Sequence, residues 1–163
     1  MREPLPVIRA ATSADCPAAV ALWTEAYFSE GEGGRTTPYA KRDFEKAMAG
    51  GKMFAAGPPG KAIGVVVIVA PGTPGMAVAR DEEAELCLLA VSSRARRNGI
   101  GRALVERCTE FAREKDWPAI ALWSRPYQTA AHRLYESLGY RRQPQRDTVD
   151  GTSHARRVFR LSL

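Results

Sequence analysis

The chain is poor in the residues that build metal centres and disulfide frameworks. It has two histidines and three cysteines among 163 residues. Cys16, Cys87 and Cys108 are odd in number, widely spaced and set in apolar-periodic segments, which excludes a paired framework and gives no zinc-ligand spacing. They read as small hydrophobes, and no metal is expected. No apolar run approaches the roughly 18 residues of a spanning helix, and the opening MREPLPVIRA has no apolar signal-peptide core. The expectation is a soluble, cytoplasmic protein without a membrane partner. Internal repeats, low-complexity tracts and linkers are absent, so residues 1–163 are expected to form one domain. Lysine is also scarce: 19 Arg and 5 Lys stand against 18 acids, a net charge of +6. Such a balance favours anionic ligands. The RNP aromatics, a GXXG loop between helices and the Cys/His finger are missing, so no nucleic-acid partner is expected.

What the chain does have is the run from Glu85 to Leu104, in which an apolar strand breaks into an arginine-rich, glycine-punctuated loop and then a helix. The first turn of a helix carries unpaired N–H groups and the positive end of the helix dipole, which together hold an anion. Gly99 and Gly101 lack a Cβ, so the backbone can approach phosphate oxygens closely. Arg94, Arg96, Arg97 and Arg102 add charge. A dinucleotide fingerprint needs a third glycine where Leu104 stands, and a Walker A loop needs a lysine after the second glycine; neither is present.

The remaining pattern, Arg96-x-x-Gly99-x-Gly101 after a strand ending Leu89-Ala90-Val91, resembles the cofactor motif of the GCN5-related N-acetyltransferases. A second block, Gln128-Thr129-Ala130-Ala131-His132-Arg133-Leu134-Tyr135-Glu136-Ser137-Leu138-Gly139-Tyr140, resembles the same family's N-x-x-A-x-x-L-Y-x-x-x-G-[FY] segment. The two motifs stand in family order. Gln128 departs from the usual asparagine, and Ser93 from a common proline in the loop.

Hydrophobic periodicity and turn residues order the elements as β-α-α-β-β-β-α-β-α-β-β. The spacing predicts a strand at Val7–Arg9 and a helix capped by Thr12 or Ser13 through about Phe28. A glycine-rich connector, expected to be mobile, covers 29–37, and a helix runs from Pro38 to about Ala49. Strands Lys52–Ala56 and Lys61–Ala70 bracket a GPPG turn. Strand Glu83–Val91, helix Ile100–Lys115, strand Ala119–Ser124 and helix Gln128–Leu138 follow, with final strands at Gly139–Gln143 and Ala155–Leu161. The resemblance implies an α/β fold with a mixed, mostly antiparallel sheet of about seven strands and helices on both faces.

It also implies acetyl-CoA as co-substrate and an amine as acceptor. Arg96, Arg97, Asn98, Gly99, Ile100, Gly101 and Arg102 would hold the pyrophosphate. Backbone groups of Leu89 and Val91 would bond the pantetheine arm, and Gln128 stands where the family's asparagine contacts the cofactor. Tyr135 occupies the position whose tyrosine meets the departing thiolate, although its i, i+3, i+4, i+7 stripe with Ala131, Leu134 and Leu138 equally suits a core residue. Glu85 stands where some members place a general base. Glu83 shares its strand face, and both could instead be a solvated strand entry together with Glu82. His132 and His154 read as surface residues. The acceptor pocket is expected between Tyr27–Tyr39, the start of the fourth strand and the Arg146–His154 turn.

The reading is an acetyl-CoA-dependent N-acetyltransferase that works by direct attack in a ternary complex, without a covalent acyl-enzyme. A transferase of another acyl group and a non-catalytic acyl-CoA-binding sensor are its alternatives. A homodimer is left open.

Overall fold

A computed structural model describes residues 3–28 and 37–163. Strands β1 (Ile8–Ala10), β2 (Lys52–Ala56), β3 (Gly64–Val69), β4 (Glu83–Val91), β5 (Ala119–Ser124), β6 (Arg141–Arg142), β7 (Thr148–Val149) and β8 (Ala155–Ser162) form one sheet. The helices are α1 (Cys16–Tyr27), α2 (Lys41–Gly50), α3 (Ile100–Glu114) and α4 (Thr129–Ser137). The sheet order is β1-β2-β3-β4-β5-β8-β6, with β7 paired to β8. Every pairing is antiparallel except β4 with β5.

The sequence-based elements sit close to the observed ones, and β2, β4 and β5 have the expected bounds. Two differences have physical causes. Pro38 lies ahead of α2, whose first residue is Lys41; Ala40 is extended and its N–H donates to the Asp43 carboxylate, so the helix begins there. The short β7 breaks the span read as a turn, because Asp150 accepts from the backbone of Thr152 and His154 and closes a tight hairpin onto β8. The expected mobile connector falls largely on 29–36, outside the described residues.

Alternation along the strands divides the core in two. On one face Phe54, Val66, Ala84, Leu86, Ile120 and Phe159 pack under α3 and α4 through Leu104, Val105, Cys108 and Tyr135. On the other, Met53, Ala55, Val65 and Val67 pack under α1 and α2 through Leu22, Trp23 and Phe44. The β5–β8 half of that second face is covered by the loop 71–80, with Val78 buried against Ala121 and Val158.

A buried ionic cluster pins this loop. Glu83 accepts from Arg146 at 2.7 and 3.1 Å, from Arg160 at 2.6 Å and from the Arg80 N–H at 2.9 Å, and Arg146 also donates to the Val78 carbonyl. Burial alone would raise the Glu83 pKa, but the Arg146 hydrogen bonds, the Arg80 N–H and Arg160 outweigh it and lower it to about 2. Asp15 is lowered to about 2 as well, chiefly by its paired hydrogen bonds from Arg9. Depressed carboxyl pKa values stabilise the fold above the unfolded-state value and lose that contribution as the pH falls through the folded one. We therefore expect stability to be steady down to about pH 4.5 and to fall progressively toward pH 2. Denaturant titrations across that window check it, and in Glu83→Gln the slope should be reduced.

Candidate active site

The two central strands run together only briefly. Register pairs between β4 and β5 are Glu83–Ala119, Ala84–Ile120 and Glu85–Ala121, after which the strands part and the sheet forks. Burial along β4 follows: Glu83 to Leu86 are buried, whereas Cys87, Leu88 and Leu89 are partly exposed. The cause lies within β4. Its register against β3 slips between Val65 and Val67, and Leu88 sits at φ 54°. A left-handed leucine costs roughly 1–2 kcal/mol, and two donors from α1 hold it in place. The Trp23 indole N–H donates to the Leu88 carbonyl at 3.0 Å, and the Tyr27 hydroxyl donates to the Leu89 carbonyl. The sequence puts Trp23 and Tyr27 on a helical apolar face and Tyr27 at the edge of the expected acceptor pocket, but gives neither a bond to β4. Their i, i+4 spacing with polar tips on one side was the available signal.

At the end of β4 the chain turns through Ser92 to Gly99 into α3. Arg97 and Gly99 both have positive φ, at 65° and 81°. The first intrahelical bond is Ala103 N–H to the Gly99 carbonyl. The backbone N–H groups of 97–102 therefore have no partner among the described residues, and they precede a helix of 15 residues. The Arg97, Asn98 and Arg102 side chains are exposed around them, while Ile100 is buried and anchors the helix start. Arg96 holds the loop instead, with Nε donating to the Val91 carbonyl at 3.2 Å and Nη2 lying 3.6 Å from Glu25. Arg102 donates to Ser137 Oγ at 2.6 Å and so ties α3 to α4. A Cβ built on Gly99 would meet only Leu5, at 3.6 Å. Gly99→Ala should therefore cost about 1 kcal/mol through its φ alone, read as a small fall in melting temperature.

Across the fork, α4 presents Tyr135, packed against Tyr140 and Phe159 at ring distances of 5.7 and 5.9 Å. Its hydroxyl has no hydrogen-bonding partner among the described residues, and burial pushes the phenol well above its ordinary pKa. Tyr27 is raised for the same reason, and its ring lies 6.4 Å from that of Tyr39. Cys87 lies on the floor, its thiol pushed up to about 12 by burial and then by the Glu85 charge.

Several expected site residues are already engaged. Glu85 is buried, not a solvated strand entry, and accepts the Ala77 and Val78 N–H groups at 2.9 and 2.8 Å, latching the loop 71–80. Glu83, its alternative as a base, is bound by two arginines and ionised far below neutrality, so it takes no proton there. Arg146, expected to border the acceptor pocket, is spent on Glu83. Gln128 uses Oε1 to accept from Ser124 Oγ and the Arg125 N–H, closing the turn after β5. The Leu89 and Val91 carbonyls are occupied by Tyr27 and Arg96. His132 is half-buried, with Nε2 3.0 Å from the Arg125 carbonyl and its ring 5.1 Å from Phe159, which is a structural position. No group of three or more His, Cys, Asp or Glu side chains among the described residues is placed to hold a metal. No helix among them is long and apolar enough to cross a membrane.

A forked mixed sheet with an unpartnered helix start beside the fork is the acyl-CoA N-acyltransferase architecture. The profile of the Acetyltransferase (GNAT) family matches residues 17–140, and the chain belongs to that family. The N-acetylaspartate synthetase of Rattus norvegicus is 40% identical over 88 residues, covering 52% of this chain and 29% of that protein. N-acetyltransferase 8 of Homo sapiens is 32% identical over 85 residues, covering 52% of this chain and 36% of that protein. The match thus spans about a third of these relatives. Among solved structures, the ribosomal-protein-alanine N-acetyltransferase of Brucella melitensis superposes with a TM-score of 0.77 at 24% identity, covering 96% of this chain and 99% of that one. The acetyltransferase yncA of Salmonella typhimurium, solved with its cofactor acetyl-CoA, has a TM-score of 0.73 at 19% identity, covering 99% and 95%. These likenesses show the fold.

Proposed function

We propose that this chain transfers an acetyl group from acetyl-CoA to an amine, by direct attack within a ternary complex. The observation that carries the proposal is the run of unpartnered N–H groups at 97–102, set beside the fork between β4 and β5. Such a run at a helix start suits a pyrophosphate, and exposed Arg97 and Arg102 add charge to it. An extended arm leaving that site along the fork meets Leu88 and Leu89, which have no register partner in β3. The N–H groups there, whose carbonyls are taken by Trp23 and Tyr27, can donate to an amide-bearing arm and polarise a thioester carbonyl.

The acyl carbon then lies between Tyr135 on one side and the α1 face on the other. Tyr135 stays protonated at neutral pH, so it donates a hydrogen bond to the departing thiolate. Full proton transfer would be uphill, because a free thiol has a pKa of about 8.5. Cys87 is a poor nucleophile with its thiol raised to about 12, which favours direct attack by the amine over a covalent acyl-enzyme. The attacking amine must lose a proton. Glu85 is the proposed acceptor on this face, since each of its oxygens keeps a lone pair beyond its loop contact. The names of the relatives, all N-acetylating enzymes, support the amine as acceptor.

The test is an amine-library screen with acetyl-CoA that follows free thiol release, beside a thermal-shift titration with CoA. Amine-dependent thiol release is expected. A CoA shift without turnover on any amine would favour the sensor, and turnover only with succinyl- or propionyl-CoA the other acyl group. Glu85→Gln should lower kcat at neutral pH by about 100-fold, the scale of general-base catalysis, while CoA affinity holds. Unaltered turnover would remove Glu85 as base.

A further inference from the structure

On the α1 side of the sheet, Trp123 stands one alternation beyond Ala121, where β5 has left β4, so it walls the fork opposite Cys87. Two guanidinium groups flank its indole: Arg125 at 4.6 Å and Arg156 at 5.1 Å from the ring centroid. The two arginines differ in what else they touch. Arg125 is buried and held by Asp150 at 2.6 Å and by the carbonyls of His154 and Ala155 at 3.2 Å each. Arg156 is half-buried, has no hydrogen-bonding or ionic partner among the described residues, and its Nε is sealed from solvent without an acceptor. With its Nε closed off, Arg156 can offer a ligand only its two terminal nitrogens, which form a planar pair of donors.

Among the described residues, three carboxylates of this region are committed elsewhere. Glu83 is bound by Arg146 and Arg160, Glu85 by the loop N–H groups, and Asp150 by Arg125 with Thr152 and His154. Arg156 thus faces no carboxylate among the described residues. Beside Arg125 lies a cavity of about 300 Å³ lined also by Pro126, Tyr127, Ser153, His154 and Ala155, the neighbour of Arg156 in β8.

We propose that Arg156, stacked on Trp123, binds a carboxylate of the acceptor, so that the amine substrates of this chain are amino acids or peptides whose carboxylate lies within reach of the reacting nitrogen. The stack fixes the guanidinium plane, and a planar fork fits a carboxylate by paired N–H donation. Arg125, immobilised by Asp150, forms the far wall and adds positive field. This rests on the transferase reading above, and the experiment separates the two.

Acetyl transfer is followed for the twenty amino acids and a set of dipeptides, each beside its C-terminal amide, which keeps the amine and removes the charge. The free acids should show kcat/KM roughly 10- to 100-fold above their amides, the scale of a charge-assisted hydrogen bond, with the difference mainly in KM. In Arg156→Gln the acid-to-amide ratio should fall to near one with CoA affinity and melting temperature held. Arg156→Lys should restore part of it, since it keeps the charge and loses the fork. Equal use of acids and amides by the parent, or an acid preference that survives Arg156→Gln, overturns the proposal. A second arm needs no chemistry: CoA-loaded protein is titrated with the N-acetyl amino acids and N-acetyl amino acid amides in a calorimeter. If no amine is consumed, the transferase reading fails. The carboxylate site then stands if N-acetyl amino acids bind to the parent and not to Arg156→Gln, and falls if none binds or both proteins bind alike.

Discussion

Tyr135→Phe is expected to lower kcat about 100-fold while leaving the melting temperature within a degree or so of the parent, because one hydroxyl with no protein partner is removed from an otherwise intact aromatic cluster. The sequence left two roles open for this residue, core or chemistry; its packing shows the first, and the second is what the substitution tests. The ring packs on Tyr140 and Phe159, and the hydroxyl has no hydrogen-bonding partner among the described residues. The substitution separates them. A fall in kcat with an unchanged KM for acetyl-CoA would assign the hydroxyl to the departing thiolate, since an interaction made only in the transition state lowers kcat alone. Retained turnover with lost stability would make Tyr135 a core residue only.

The second large effect is expected at the helix start. A Cβ built on Gly101 would lie 3.6 Å from Leu134 and 3.8 Å from Val91, ordinary contacts, so the fold tolerates a side chain there. It would nevertheless stand between the start of α3 and the fork, where an incoming cofactor must approach the backbone. Gly101→Val should weaken CoA binding by several kcal/mol, the cost of losing close N–H donation to a charged phosphate, and Gly101→Ala by less. Calorimetry with CoA beside a thermal melt reads both, and an unchanged affinity in the folded Val variant would remove the pyrophosphate from this loop.

The elements and the glycine-punctuated turn into α3 were legible because they depend on short-range information. Alternation gave β4 and β5 their bounds, and glycine spacing with arginine gave the turn into α3, since helix starts and turns are fixed by residues within a few positions of one another. The family followed from two such local motifs. The bulge at Leu88 left no mark in β4's own composition. It exists because Trp23 and Tyr27, more than sixty residues away in sequence, donate to its carbonyls.

The fate of the carboxylates was hidden for a related reason. Glu82, Glu83 and Glu85 look alike in sequence, yet Glu83 meets Arg146 and Arg160 from beyond β5, Glu85 meets the loop 71–80, and Glu82 is exposed. By itself the sequence determined where strands, helices and the phosphate-type turn lie, because backbone preference and amphipathic period act locally. Only the tertiary structure decided which charges cancel and which, like Arg156 beside Trp123, are left to meet a ligand, because partners are assigned by the packing of distant strands and a buried charge takes its meaning from what faces it.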